Sequence, residues 1–130
     1  MSLPNRVSVL DADDTCPRLP IVASGGEAFA VVWPGVGAHM RSMNRISLKP
    51  GGATVRLSHP MEAVYYVITG DGTVRDPDSG AADPVIEGSM IHIGPGTAYV
   101  YEAGGTGMEL IGGPCPADPA LYRSLETGGL

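Results

Sequence analysis

Ala63-Val64-Tyr65-Tyr66-Val67-Ile68 is a run of six apolar or aromatic residues, followed after Thr69 by Gly70-Asp71-Gly72. Both alternating sets of the run, 63/65/67 and 64/66/68, are apolar, so the strand it predicts has two faces to bury. A strand with two buried faces implies a barrel or a sandwich. Upstream, Val55 and Leu57 alternate with Thr54, Arg56 and Ser58. Residues 40–48 alternate less cleanly before Lys49-Pro50-Gly51-Gly52, which reads as a turn. Residues 28–33 form a buried strand that Pro34, Gly35 and Gly37 end. Downstream, Gly70-Asp71-Gly72 turns the chain into Thr73-Val74-Arg75, and residues 76–80 turn it again. Short strands follow at 85–86, 90–93, 98–101 and 108–111, with Gly104-Gly105-Thr106-Gly107 as a hairpin turn. One strand every ~8–12 residues is the spacing of an all-β sandwich or barrel. Only the end reads as helix: Asp118 caps it, Pro119 fits its first turn, and Leu121 and Leu125 lie four apart, on a short helix expected on the barrel's outside.

The 130 residues fit one domain, 1–130. Eight Lys and Arg against fourteen Asp and Glu leave a net charge of −6, which disfavours nucleic acid and anionic membrane surfaces as partners. With 43% hydrophobic and 17% charged residues, the chain can fill a core. No apolar run reaches the ~18 residues of a membrane span, and the first fourteen residues lack the apolar stretch of a signal peptide. Cys16 and Cys115, the two cysteines, then read as reduced thiols in a cytoplasm. Open sheet edges and the apolar run 28–33 predict a homodimer, with that run buried between subunits.

Gly51, His59, Glu62, Gly70, Gly88, Pro95, Gly96 and Tyr99, taken in order, resemble the two motifs of the cupin superfamily. The resemblance implies a cupin-type double-stranded β-helix, a jelly-roll barrel, and covers residues 51–103. Its first motif places two histidines on Leu57 and His59, and its glutamate on Ala63, with Glu62 one residue early. Its second motif places Gly94 where Pro is usual, Gly96 as expected, Tyr99 for His and Ala103 for Asn. The scaffold glycines match, and most of the usual ligands are replaced. Within the cupins, Met61-Glu62-Ala63-Val64 with Gly70-Asp71-Gly72, and the stretch from Pro95-Gly96 through Tyr99 to Glu102, resemble ectoine synthases. That resemblance places iron-binding roles on Glu62 and Tyr99, and the third ligand, a histidine, on Gly107.

A carboxylate and a phenol suit iron or manganese, and imidazole extends the choice to zinc. A tight site needs about three protein ligands, so a histidine must join Glu62 and Tyr99. His59 occupies a motif position; His92, on the strand of Met90 and Gly94, faces away from Ile91 and Ile93 and is the second candidate. His39 reads as a turn residue. The expected metal set is therefore His59, Glu62, Tyr99 and His92 around a divalent or ferric ion, with Tyr99 or Glu62 handling a proton. Arg45 and Arg56 read as an exposed strand face, with anchoring of an anionic group as the alternative. Tyr65, Tyr66, Tyr101, Trp33, Met40 and Met43 serve as pocket walls or as core. No phosphate loop and no serine or cysteine nucleophile motif is present. Two functions follow: a metal-dependent enzyme on a small molecule, of lyase, cyclase, dehydratase or dioxygenase type, or a metal-free module binding a sugar or small acid.

Overall fold

The computed structural model describes residues 7–126. Six strands carry the fold: β1 (Val22–Val32), β2 (Met43–Thr54), β3 (Ala63–Arg75), β4 (Ala82–Ile86), β5 (Met90–Ile93) and β6 (Val100–Pro114). They pair antiparallel in the order β1-β2-β6-β3-β4, with β5 on the other edge of the first half of β3. β3 and β6 pair along nearly their whole length, from Ala63 opposite Pro114 to Arg75 opposite Val100. Just outside these strands, Leu57 and Tyr99 exchange both backbone hydrogen bonds, at 2.9 and 2.8 Å, and tie the chain after β2 to the start of β6.

Three glycine-rich stretches expected as turns run inside long strands. Residues 49–52 lie within β2, 70–72 within β3 and 104–107 within β6. Each strand bends there: the pairing register shifts between Leu48 and Ala53, and again between Val67 and Thr69 and between Gly70 and Gly72. Extra residues on one strand of a pair bend it and increase its twist, which is how a sheet curls toward a barrel. The four motif glycines, Gly51, Gly70, Gly88 and Gly96, all have φ between 77° and 91°. A left-handed conformation without strain is what these positions ask of the sequence.

Burial along β3 differs from the expectation of two covered faces. Ala63, Tyr65 and Val67 are buried, whereas Val64, Tyr66 and Ile68 are 37–41% exposed on the outer surface. A barrel forms nonetheless, because the inner face alone packs against the inner faces of its neighbours. Ile46, Leu48, Leu57, Tyr65, Val67, Tyr99, Tyr101 and Leu110 belong to that single core. Residues 28–31 and Trp33, expected between subunits, are buried within the chain itself. Arg18 forms a backbone bridge to Phe29 along the edge of β1 that β2 leaves free, so the segment before β1 covers part of that edge. Asp118 caps as expected, accepting from the Ala120 N–H at 3.1 Å ahead of a 3₁₀ turn (Pro119–Tyr122) that runs into α1 (Arg123–Glu126). Leu121 and Tyr122 enter the core and do not stay outside it. Tyr122 stacks on Trp33 at 5.2 Å, and its hydroxyl donates to Asn44 Oδ1 at 2.8 Å. Among the described residues, no helix is long and apolar enough to cross a membrane.

Two glycine substitutions separate conformational strain from collision. A Cβ on Gly70 would fall 2.1 Å from the Gly107 carbonyl oxygen, whereas one on Gly51 meets nothing within 4 Å. Gly51→Ala should therefore cost about 1–2 kcal/mol, the left-handed penalty alone. Gly70→Ala should cost about 3 kcal/mol or more, since the β3–β6 pairing must also shift. Urea midpoints of the two variants, read at constant m, check the difference.

Candidate functional site

The barrel interior holds a chain of hydrogen bonds. His59 Nδ1 lies 2.7 Å from Asp118 Oδ2, His59 Nε2 lies 2.7 Å from the Tyr99 hydroxyl, and that hydroxyl lies 2.8 Å from the Tyr65 hydroxyl. All four residues are buried. Four parts of the chain bring them together. His59 sits between β2 and β3, held by the Gly96 N–H on its carbonyl at 2.6 Å; Tyr65 points inward from β3; Tyr99 precedes β6. Asp118 arrives from the C-terminal turn that it also caps.

The directions of these bonds are those of a neutral imidazole that carries its proton on Nδ1. Asp118 accepts from the Ala120 N–H on Oδ1, so a carboxylate accepting on both oxygens completes the arrangement, with His59 Nδ1 donating to Oδ2. His59 Nε2 is then the acceptor of the Tyr99 O–H, and Tyr99, its proton committed, accepts from Tyr65. Every proton in the chain points toward Asp118. Burial pushes the Tyr99 and Tyr65 phenols far above their ordinary range, and their mutual proximity raises Tyr99 further. Both are neutral phenols at physiological pH.

Tyr99 also lines a pocket of about 200 Å³ together with the apolar Val74, Ile91, Ile93 and Ala98 and the polar Arg75, Asp76, Asp83, His92 and Thr97. An apolar floor with a few polar groups is the composition of a small-molecule site, though smaller than the roughly 300–1,000 Å³ of drug-sized ones. On the other side, His59 and Asp118 line a second concavity with Arg56, Ser58 and Leu121. The hydrogen-bonded chain thus has Tyr99 on one pocket and His59 and Asp118 on another.

The four residues expected to share an ion divide into two pairs. His59 and Tyr99 are inside. Glu62 and His92 are outside, more than half exposed, and bond to each other at 2.9 Å. Glu62 precedes β3, while His92 lies opposite the outward-facing Val64, since its neighbours Ile91 and Ile93 take the inner face of β5. The expected meeting of Glu62 and Tyr99 in the lumen does not occur, and the position of the third ectoine-synthase ligand is Gly107, a bend glycine in β6. A divalent or ferric ion, whether iron, manganese or zinc, does not fit the donors that are inside. Both His59 nitrogens are engaged, the Tyr99 hydroxyl is shared between His59 and Tyr65, and the Asp118 carboxylate is on the far side of the imidazole. No group of three or more His, Cys, Asp or Glu among the described residues is arranged to hold a metal. Arg56 pairs with Asp78 on an exposed surface, as expected, whereas Arg45 is partly buried, pairs with Glu109 and donates to the Ala12 carbonyl.

Two residues of this site were read differently in the sequence. Asp118 carried the signal of a helix cap and gave no sign of facing His59 across 59 positions. Tyr65 was a wall or core residue; its period-two relation to Ala63 and Val67 was the only available sign that it faces inward.

Solved structures place this geometry in a known architecture. An RmlC-like cupin from Shewanella frigidimarina superposes with a TM-score of 0.61 at 20% identity, over 76% of this chain and 83% of that one. The polyketide cyclase RemF from Streptomyces resistomycificus gives 0.66 at 19% identity, over 90% and 82% of the two chains. A predicted oxalate decarboxylase from Thermotoga maritima gives 0.66 at 20% identity, over 81% and 96%. No family model matches the sequence, and no curated protein matches it. The chain has the cupin fold, and the site just described occupies the interior of the cupin barrel.

The raised phenols fix how stability depends on pH. Tyr65, Tyr99, Tyr101 and Tyr122 all lie above the ordinary tyrosine value, chiefly because burial disfavours the phenolate. The folded state therefore holds protons that the unfolded chain releases near pH 10. Stability from these groups should be complete below that pH and lost as pH rises above it. In an alkaline titration, phenolate absorbance from these four should appear together with loss of the far-ultraviolet dichroism, not before it.

Proposed function

We propose that this protein is an enzyme that moves a proton on a small carbonyl compound, with Tyr99 as the group facing substrate and His59 and Asp118 as its proton acceptor and orienting carboxylate. The observation that supports this reading is the buried chain of hydrogen bonds that links Tyr65, Tyr99, His59 and Asp118. As the Tyr99 oxygen takes a proton from a carbon next to a carbonyl, its own proton passes to His59 Nε2, and the resulting imidazolium sits against the Asp118 carboxylate. Charge is conserved: substrate becomes an enolate, and the imidazole becomes a cation beside an existing anion. Return of the proton to the same or another carbon gives epimerisation, isomerisation or, with a leaving group, elimination. The pocket of about 200 Å³ beside Tyr99 admits a small substrate, and its polar atoms of both signs suit a hydroxylated or keto acid. A cyclase and a predicted oxalate decarboxylase share the fold, which is compatible with an enzyme and does not select the reaction.

Proton NMR in deuterium oxide tests the reading. Wild type should wash deuterium into dihydroxyacetone or pyruvate faster than buffer does. His59→Gln and Asp118→Asn should each slow that exchange by about 10²–10⁴-fold. A binding module without turnover is the second reading, favoured by the complete burial of His59, Tyr65 and Tyr99 behind the barrel wall. It is the outcome if these compounds bind and none exchanges. Stoichiometric metal in purified wild type, lost in His59→Ala, would instead restore a metal-dependent enzyme.

We also propose that the protein is a homodimer, formed on a face other than residues 28–33. Val64, Tyr66, Ile68 and Met90 expose an apolar strip on β3 and β5, and β5 pairs with β3 on one side only. Light scattering should give twice the 13.4 kDa chain mass, falling to one chain mass for Tyr66→Asp combined with Met90→Lys. A cytoplasmic location is supported by the unpaired thiols of Cys16 and Cys115.

A further inference from the structure

Four titratable residues border the pocket beside Tyr99, and three of them have side chains committed elsewhere. Arg75 donates to Glu102 through Nε and Nη2, at 3.3 and 3.2 Å. His92 bonds to Glu62 on the outer face of β5. Asp76 holds the turn that follows β3, its Oδ1 accepting from the Asp78 and Ser79 N–H groups. The fourth, Asp83, has a carboxylate with no hydrogen bond or ion pair among the described residues.

Two relations along the sheet turn Asp83 toward the pocket. It stands opposite Val74 in the β3–β4 pairing, and Val74 packs against the core and lines the same pocket. Residues facing each other across an antiparallel pair point to the same side of the sheet. Two positions further along β4, Val85 is buried, and side chains two apart share a face. Asp83 itself is exposed, so its carboxylate lies where the pocket meets solvent and a small molecule can reach it. Arg75 follows Val74 on β3 and takes the other face, where its partner Glu102 lies between the buried Tyr101 and Ala103. The uncommitted charge at the mouth is therefore negative, and the exposed Thr97 adds a hydroxyl beside it.

We propose that Asp83 determines specificity at this pocket: its carboxylate accepts hydrogen bonds from hydroxyl groups of the substrate, which selects a small α-hydroxy ketone over a simple keto acid. The inference deepens the proton-transfer reading and rests on it for the word substrate, while the binding it predicts rests on the pocket alone. A carboxylate accepts and does not donate, and its two oxygens can each take a hydroxyl. A hydroxyl that donates to a charged acceptor makes a stronger bond than one that donates to a neutral group. The same charge disfavours a ligand carboxylate in the pocket, because like charges at short range repel. A carbonyl compound with a hydroxyl on the neighbouring carbon meets both demands. It donates to Asp83 and presents the carbon that loses a proton to Tyr99.

Asp83→Ala removes an exposed side chain and should leave the melting temperature unchanged. In NMR titrations of isotope-labelled protein, wild type should bind dihydroxyacetone about tenfold more tightly than pyruvate. Asp83→Ala should bind dihydroxyacetone about tenfold more weakly than wild type does, and pyruvate no more weakly. Glu87→Ala, which removes an exposed carboxylate outside the pocket, should change neither affinity. In deuterium exchange of dihydroxyacetone, Asp83→Ala should raise KM about tenfold and leave kcat within about threefold. The proposal is overturned if wild type does not bind dihydroxyacetone or binds pyruvate as tightly. It is equally overturned if Asp83→Ala leaves the affinity for dihydroxyacetone unchanged, or if Glu87→Ala lowers it as much. Tighter binding of aminoacetone than of dihydroxyacetone would overturn the hydroxyl class in favour of an amine. Asp83-dependent binding without exchange would sink the proton-transfer reading alone. Exchange in wild type, with KM and affinity unaffected by Asp83→Ala, would sink the role of Asp83 alone.

Discussion

The hydrogen bond between His59 Nε2 and the Tyr99 hydroxyl is the joint on which the interior depends. It connects the segment after β2 to the strand entering β6, across the same pair of chains that the Leu57 and Tyr99 backbones bridge. Through Asp118 it reaches the C-terminal turn, and through Tyr65 it reaches the middle of the sheet. Buried polar atoms in so dry a space are tolerable only when each finds a partner. Four residues from distant parts of the chain satisfy one another, and the barrel's two ends and its C-terminal cap are held in one arrangement as a result.

The same arrangement decides the electrostatics. The lumen contains one carboxylate, one imidazole and three phenols, with the carboxylate at the rim beneath a capped turn. Rings of Tyr65, Tyr99 and Tyr101 exclude water from the space between, and burial holds their hydroxyls protonated. Such an interior is poor in the several anionic or imidazole donors that a tightly bound ion needs and rich in neutral donors. Such an interior suits the proton transfer proposed above.

The outer surface shows a separate organisation. β3 and β5 place Glu62 and His92 together at one end of an apolar strip, where they form a solvent-exposed pair. Exposed pairs of this kind contribute little to stability. Their closeness in space, at thirty positions apart in sequence, arises from the β3–β5 pairing. That pairing puts His92 opposite Val64, on the face turned away from the lumen.

The all-β character was legible in the sequence because short apolar runs punctuated by glycine and proline have few other solutions, and the spacing of Gly51, Gly70, Gly88 and Gly96 carried the cupin likeness. Asp118 was legible as a cap because that role is local, and Tyr99 and His59 as site residues because they occupy motif positions. What glycine itself signified was not legible: a left-handed glycine serves a turn or a bend within a strand equally well, and only the β3–β6 and β2–β6 pairings decide between them. Nor was the face of Glu62 legible, since one residue of register moves a side chain from lumen to solvent. The sequence by itself determined the kind of fold and the residues with chemistry to offer. The tertiary structure alone decided which of them meet, because the partners of His59 lie 40 and 59 positions away and are selected by closure of the barrel.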